Sequence, residues 1–193
     1  MKKLLFYFLP IVFLAACNKG SEKAKLEPRA AAVQRIDSLE NQIKLSIQKQ
    51  ENPDVSLSLN AIKRYQYFAA DFPNDTLSPK YLFKAAQLYE GVLRDFPNAA
   101  ELYGKVYETY PKFRNRPMML FHQGNAYAEM QDTARAALKL KEFIRTYPDH
   151  SFADDAQGLL LIMHMDDAQM EEFFRKAEQN QQRPEPGASA EKR

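Results

Sequence analysis

The chain has 193 residues, 27 of them basic and 25 acidic, with one cysteine and no tryptophan. One cysteine excludes an intramolecular disulfide, so the fold must be held by packing alone. The near balance of charge gives no support for a nucleic-acid partner, which needs an excess of Lys and Arg on one face.

The first residues form an export leader. Lys2 and Lys3 are followed by an apolar run over residues 4–14 and then Ala15, Ala16 and Cys17. The run is too short to span a membrane, which takes about 20 residues, but has the charged start and apolar middle of a signal. The junction Leu14-Ala15-Ala16-Cys17 resembles that of bacterial lipoproteins. The resemblance implies that the Cys17 thiol takes a diacylglycerol and that residues 1–16 are then removed. An ordinary leader would want a small residue where Leu14 stands. The leader holds two Lys and no acid. Taking those two from 27 leaves 25 basic residues against 25 acidic ones in the mature chain, and 193 less 16 leaves a length of 177.

Residues 17–27 are expected to be a flexible tether, and residues 28–178 a helical domain. Pro28 suits the first turn of a helix, where its missing N–H costs nothing. Val33, Ile36, Leu39, Ile43 and Ile47 then recur at three- and four-residue steps, one face of a helix, which Asn52-Pro53 should end. No alternating stretch flanked by hairpin turns predicts a strand.

Beyond residue 55 the chain repeats itself. Pro73, Pro111 and Pro148 are each preceded by an aromatic residue, namely Phe72, Tyr110 and Tyr147. Five residues before each proline stand Phe68, Val106 and Phe143; eight before, Tyr65, Tyr103 and Leu140; twelve before, Ala61, Ala99 and Ala136. The prolines are 38 and 37 residues apart, a period typical of helical repeats. The Ala admits a neighbouring helix, the bulky residues share its face, and the proline stops the helix.

Each such helix needs a partner before it. Leu120, Gly124 and Tyr127 provide one ahead of Ala136, and Tyr81, Ala85 and Leu88 one ahead of Ala99. Gly124 and Ala85 are the expected close-contact points. Gly124→Ala is expected to be tolerated, because it gains about 1 kcal/mol of helix propensity. Phe96-Pro97, out of phase with the other pairs, is expected inside the turn between helices. Ser151 and Asp166 are candidate caps for two further helices that should close the stack. Residues 179–193 lack large apolar side chains and are expected to form a disordered tail.

These residues resemble the tetratricopeptide repeat: a small residue in the first helix, Ala and a bulky pair in the second, a closing proline. The resemblance implies an all-α helix-turn-helix superhelix with an N-terminal helix and C-terminal capping helices. With the lipoprotein junction, it extends to the envelope lipoproteins related to BamD and to the periplasmic coordinator associated with Tol–Pal. It implies a scaffold lying at the outer membrane and facing the periplasm, whose partners are an envelope protein or peptide segment and, through acylated Cys17, a lipid bilayer. A glycan-capturing lipoprotein of the SusD-like class is an alternative, although sugar platforms usually employ the Trp that is absent here. An envelope hydrolase is a third.

The sequence shows no catalytic constellation, cofactor motif or metal-ligand spacing. His150 stands beside Asp149 and Ser151 in a turn, and adjacency does not supply the convergent geometry of a triad. Met163-His164-Met165 offers soft ligands for copper, but methionine is ordinary packing material. What remains is the groove lined by the first helices. The periods above aim Leu82, Ala86 and Tyr89 of one helix and Phe121, Asn125 and Ala128 of the next towards it. Asn125 offers both donor and acceptor to a peptide backbone.

Overall fold

The computed structural model describes residues 27–49 and 54–181. The leader, Cys17, most of the tether, Asn52-Pro53 and residues 182–193 lie outside them. Among the described residues there are eight helices and no strand: α1 (Pro28–Gln48), α2 (Val55–Asp71), α3 (Ser78–Gly91), α4 (Phe96–Thr109), α5 (Arg116–Glu129), α6 (Thr133–Thr146), α7 (Ala153–Ile162) and α8 (Asp167–Gln181). The fold is an all-α superhelix in which α1 to α7 pack each on the next.

The second helices of the pairs, α2, α4 and α6, start and stop in the same way. Each is opened by an aspartate, Asp54, Asp95 or Asp132, whose carboxylate accepts the N–H of the residue three further on, at 3.0, 3.2 and 3.0 Å. Such caps stabilise a helix by about 1 kcal/mol each. Each helix ends at the aromatic before the proline. Phe72, Tyr110 and Tyr147 share an extended φ near −129°, −121° and −134°, as expected of a residue that a following proline pushes out of the helical region. Their N–H groups still close the last turn, onto Phe68, Val106 and Phe143. Two linked turns then lead into the next helix. Asp75, Phe113 and His150 donate N–H to the carbonyls of Phe72, Tyr110 and Tyr147; Ser78, Arg116 and Ala153 donate to those of Asp75, Phe113 and His150.

The two full pairs differ in one place. Four residues, Val92 to Asp95, join α3 to α4, and three, Met130 to Asp132, join α5 to α6. That extra residue is the difference between the 38- and 37-residue spacings. Both connections pass through a left-handed residue, Arg94 at φ 53° and Gln131 at φ 59°, which turns the chain into the aspartate cap.

The core runs down the middle of the stack. Ala61, Ala99, Ala136, Tyr65, Tyr103, Leu140, Phe68, Val106 and Phe143 are all buried, as are Ala85 and Gly124 of the first helices. Pro73, Pro111 and Pro148 stay exposed in the turns. Gly104 is a close-contact point that the repeat alignment does not single out. A Cβ there would lie 2.6 Å from Gln123 Nε2, which donates to the Ala100 carbonyl at 3.0 Å. Gly104→Ala is therefore expected to push this buried amide off its acceptor. Leaving it unpaired costs about 1–3 kcal/mol, more than the gain of about 1 kcal/mol in helix propensity. A denaturant midpoint at or above wild type would count against this account.

Three sequence expectations change. Phe96-Pro97 does not lie in a turn: it opens α4, behind the Asp95 cap, because proline has no N–H to lose in a first turn. Ser151 does not cap α7. The residue before that helix is Phe152, whose N–H is taken instead by His150 Nδ1 at 3.2 Å. Asp154 and Asp155 do occupy the first turn, where acid suits the helix dipole. Finally, of the two helices expected to close the stack only α7 packs on it. Asp166 caps α8 reciprocally with Gln169, at 2.8 and 3.0 Å, yet no described α8 side chain is buried, and Phe174 is 51% exposed.

Candidate functional site

The first helices, α1, α3 and α5, meet along one face of the stack, and side chains of the second helices hold them there. Glu40 of α1 accepts the Lys84 ammonium of α3 at 2.6 Å and the Tyr65 hydroxyl of α2 at 2.9 Å. One repeat on, Glu90 of α3 accepts the Tyr103 hydroxyl of α4 at 2.5 Å and lies 3.5 Å from His122 of α5. Tyr65 and Tyr103 are the same repeat position, eight residues before a proline. Burial, and then the bond to a carboxylate, raise both phenols far above their ordinary pKa. The ladder stops in the third repeat, where Leu140 replaces the tyrosine.

Burial by itself would raise the Glu90 carboxyl, but the bonds from His122 and Tyr103 outweigh it and hold the group below its ordinary 4.5. A depressed carboxylate contributes stability above its unfolded pKa and loses it as pH falls through the lowered folded value. Glu90→Gln is therefore expected to flatten the fall in melting temperature below about pH 5. Parallel melting curves for the two proteins across that range would refute this role.

Along this face lies a cleft of 510 Å³ between α1 and α3. Ile43, Ile47, Leu88 and Tyr65 supply apolar wall, and Lys44, Lys84, Gln48 and Gln87 polar rim. The volume is within the range of about 300–1,000 Å³ found for ligand sites. On α5 the matching strip carries His122, Asn125 and Glu129, at three- and four-residue steps. His122 reaches Glu90 of α3, and Glu129 reaches Arg94 in the turn between α3 and α4 at 3.1 Å. Asn125 stands between them. Its Oδ1 is buried with no donor reaching it among the described residues, an uncommon state for a buried acceptor.

The six residues that the sequence aims at the groove divide evenly. Tyr89, Asn125 and Ala128 are half-buried. Leu82, Ala86 and Phe121 are packed into the interior, at 2%, 0% and 6% exposure, and do not line an open groove on this face. Leu82 instead floors a separate 520 Å³ groove between α2 and α4, and Phe121 packs on Phe143 and Phe152. The reason is the crowding of a first helix. It is gripped by the second helix before it and the second helix after it, which leaves only a narrow strip for solvent. On α3 that strip carries Lys80, Lys84, Gln87 and Gly91, with Lys84 half-buried and the others exposed.

Residues 80–112 and 119–150 each match the family model of the tetratricopeptide repeat. These two segments carry tetratricopeptide repeats. The matches cover the pairs α3–α4 and α5–α6, with α1 and α2 before them and α7 behind. No curated protein matches the chain. Tetratricopeptide repeats bind protein or peptide partners as scaffolds, and the fold is characteristically non-catalytic. Among the described residues no group of three or more His, Cys, Asp or Glu is placed to hold a metal ion, and no helix is long and apolar enough to cross a membrane.

Proposed function

We propose that this protein is an outer-membrane lipoprotein, facing the periplasm, whose repeats hold a segment of another envelope protein during outer-membrane protein assembly. In this reading residues 1–16 are the leader, Cys17 carries the lipid, residues 17–27 are the tether, residues 28–178 the binding domain and residues 179–193 a tail. The observation that carries the binding role is the apolar cleft between α1 and α3, uncovered among the described residues, where Ile47 is 57% exposed. An exposed apolar surface rimmed by polar groups is what a docking site presents.

The test is capture from detergent-solubilised envelopes with the purified mature domain, run beside Ile47→Glu. A charge in the cleft wall should abolish retention of the specific partner while leaving the fold intact, since Ile47 lies outside the core. If both proteins retain the same set, or neither retains any, this site is not the docking face.

A further inference from the structure

A second cleft lies at the edge of the stack, between the turn that follows α2 and the turn that follows α4. It encloses 590 Å³. Three prolines, Pro73, Pro79 and Pro111, and two aromatic rings, Tyr110 and Phe113, line it. Lys112 and Arg114 stand exposed on its rim.

The charge of this cleft is one-sided. Its one carboxylate, Asp75, is taken up by the Arg29 guanidinium, through both oxygens. Lys112 and Arg114 make no ion pair among the described residues. Nor is this a general property of the repeat. At the places of Lys112 and Arg114, the first turn has Asn74 and Thr76 and the third has Asp149 and Ser151.

The backbone decides what kind of chain could enter. A partner adding a β-strand needs a row of free N–H groups. Here Pro73, Pro79 and Pro111 have none, and those of Asp75, Ser78, Phe113 and Arg116 are spent on the turns themselves. A polyproline II segment needs no such row: it carries no internal hydrogen bonds and docks by laying its rings on aromatic and proline surfaces. The walls are already ordered by paired turn bonds and by the Ser78 hydroxyl donating to the Phe72 carbonyl at 2.6 Å, so little entropy is lost on binding.

We infer that the cleft between these two turns is a second docking site, which takes an acidic, proline-containing extended segment of a partner protein. The prolines and rings hold the segment's apolar face, and Lys112 and Arg114 meet its carboxylates. This surface is separate from the α1–α3 cleft and can be tested without it.

The probe is a fluorescein-labelled peptide of alternating proline and glutamate, titrated with the purified mature domain and read by anisotropy. Wild type should bind it, more weakly as salt screens the charges. The pair Lys112→Glu with Arg114→Glu should weaken binding at least tenfold, and Lys112→Arg should leave it unchanged. Both positions of change are exposed, and circular dichroism serves to check the fold. A proline–lysine peptide and a glycine–glutamate peptide should each bind at least tenfold more weakly. Amide shifts on binding should fall at residues 74–79 and 109–116. The proposal is overturned if wild type does not bind the proline–glutamate peptide, or if the charge-reversed pair binds it as tightly. Equal binding of the glycine–glutamate peptide, or shifts confined to α1 and α3, would overturn it as well.

Discussion

Gly124→Leu is expected to destabilise the repeat stack more than any other single change at a close-contact point. A Cβ at residue 124 would lie 2.8 Å from Leu140 Cγ, 2.9 Å from Leu140 Cδ2 and 3.5 Å from the Ala136 carbonyl oxygen. Leu140 is fully buried against Phe143 and Phe121, so it has nowhere to swing. Overpacking of this kind costs about 1–3 kcal/mol and sometimes more. For a chain of this size each kcal/mol lowers the melting temperature by about 2–4 °C, so a drop of roughly 2–12 °C is expected. Alanine, which propensity alone would favour, is expected to destabilise too, because its one added carbon meets the branch point of Leu140 rather than a flexible tip. The coupling can be measured: Gly124→Ala should cost less in a Leu140→Ala background than in wild type. If Gly124→Leu melts like wild type, α5 and α6 do not meet at this residue.

The second large effect concerns location. Cys17→Ser, placed behind an ordinary cleavable leader, is expected to move the protein from the outer-membrane fraction to the soluble periplasm with its helical content intact. Each buried lipid CH₂ contributes about 0.8 kcal/mol; one chain binds marginally and two anchor stably. A diacylglyceryl group supplies two. In the proposed reading the mature chain offers no substitute by charge, with 25 basic residues against 25 acidic ones once the leader's two Lys are taken from 27. The stack should survive the change, because the core formed among the described residues runs from Ile36 to Ala156. Sedimentation of the serine variant with outer membranes would show that a protein partner, and not the lipid, is the main tether.

The sequence by itself determined the architecture. A proline stop recurring every 37 or 38 residues, with Ala, a bulky pair and an aromatic at set distances before it, is a local pattern, and local patterns suffice to place helices. Pro73, Pro111 and Pro148 act on the residue before them whatever surrounds them, which is why Phe72, Tyr110 and Tyr147 adopt nearly the same backbone. Two further signals are just as local: the aspartate that opens α2, α4 and α6, and the proline that belongs in the first turn of α4. What only the tertiary structure decided is which side of each first helix meets solvent. Leu82, Ala86 and Phe121 fall on a helical stripe as regular as any other, but whether a stripe is covered depends on the two second helices that flank it. Those are distant in sequence, so periodicity carries no record of them. The same holds for Gly104, whose space is filled by Gln123 from the next helix, and for Glu40 and Glu90, whose tyrosine partners come from 25 and 13 residues away. The turn cleft, too, exists only because two turns one repeat apart are brought side by side, which no single turn contains.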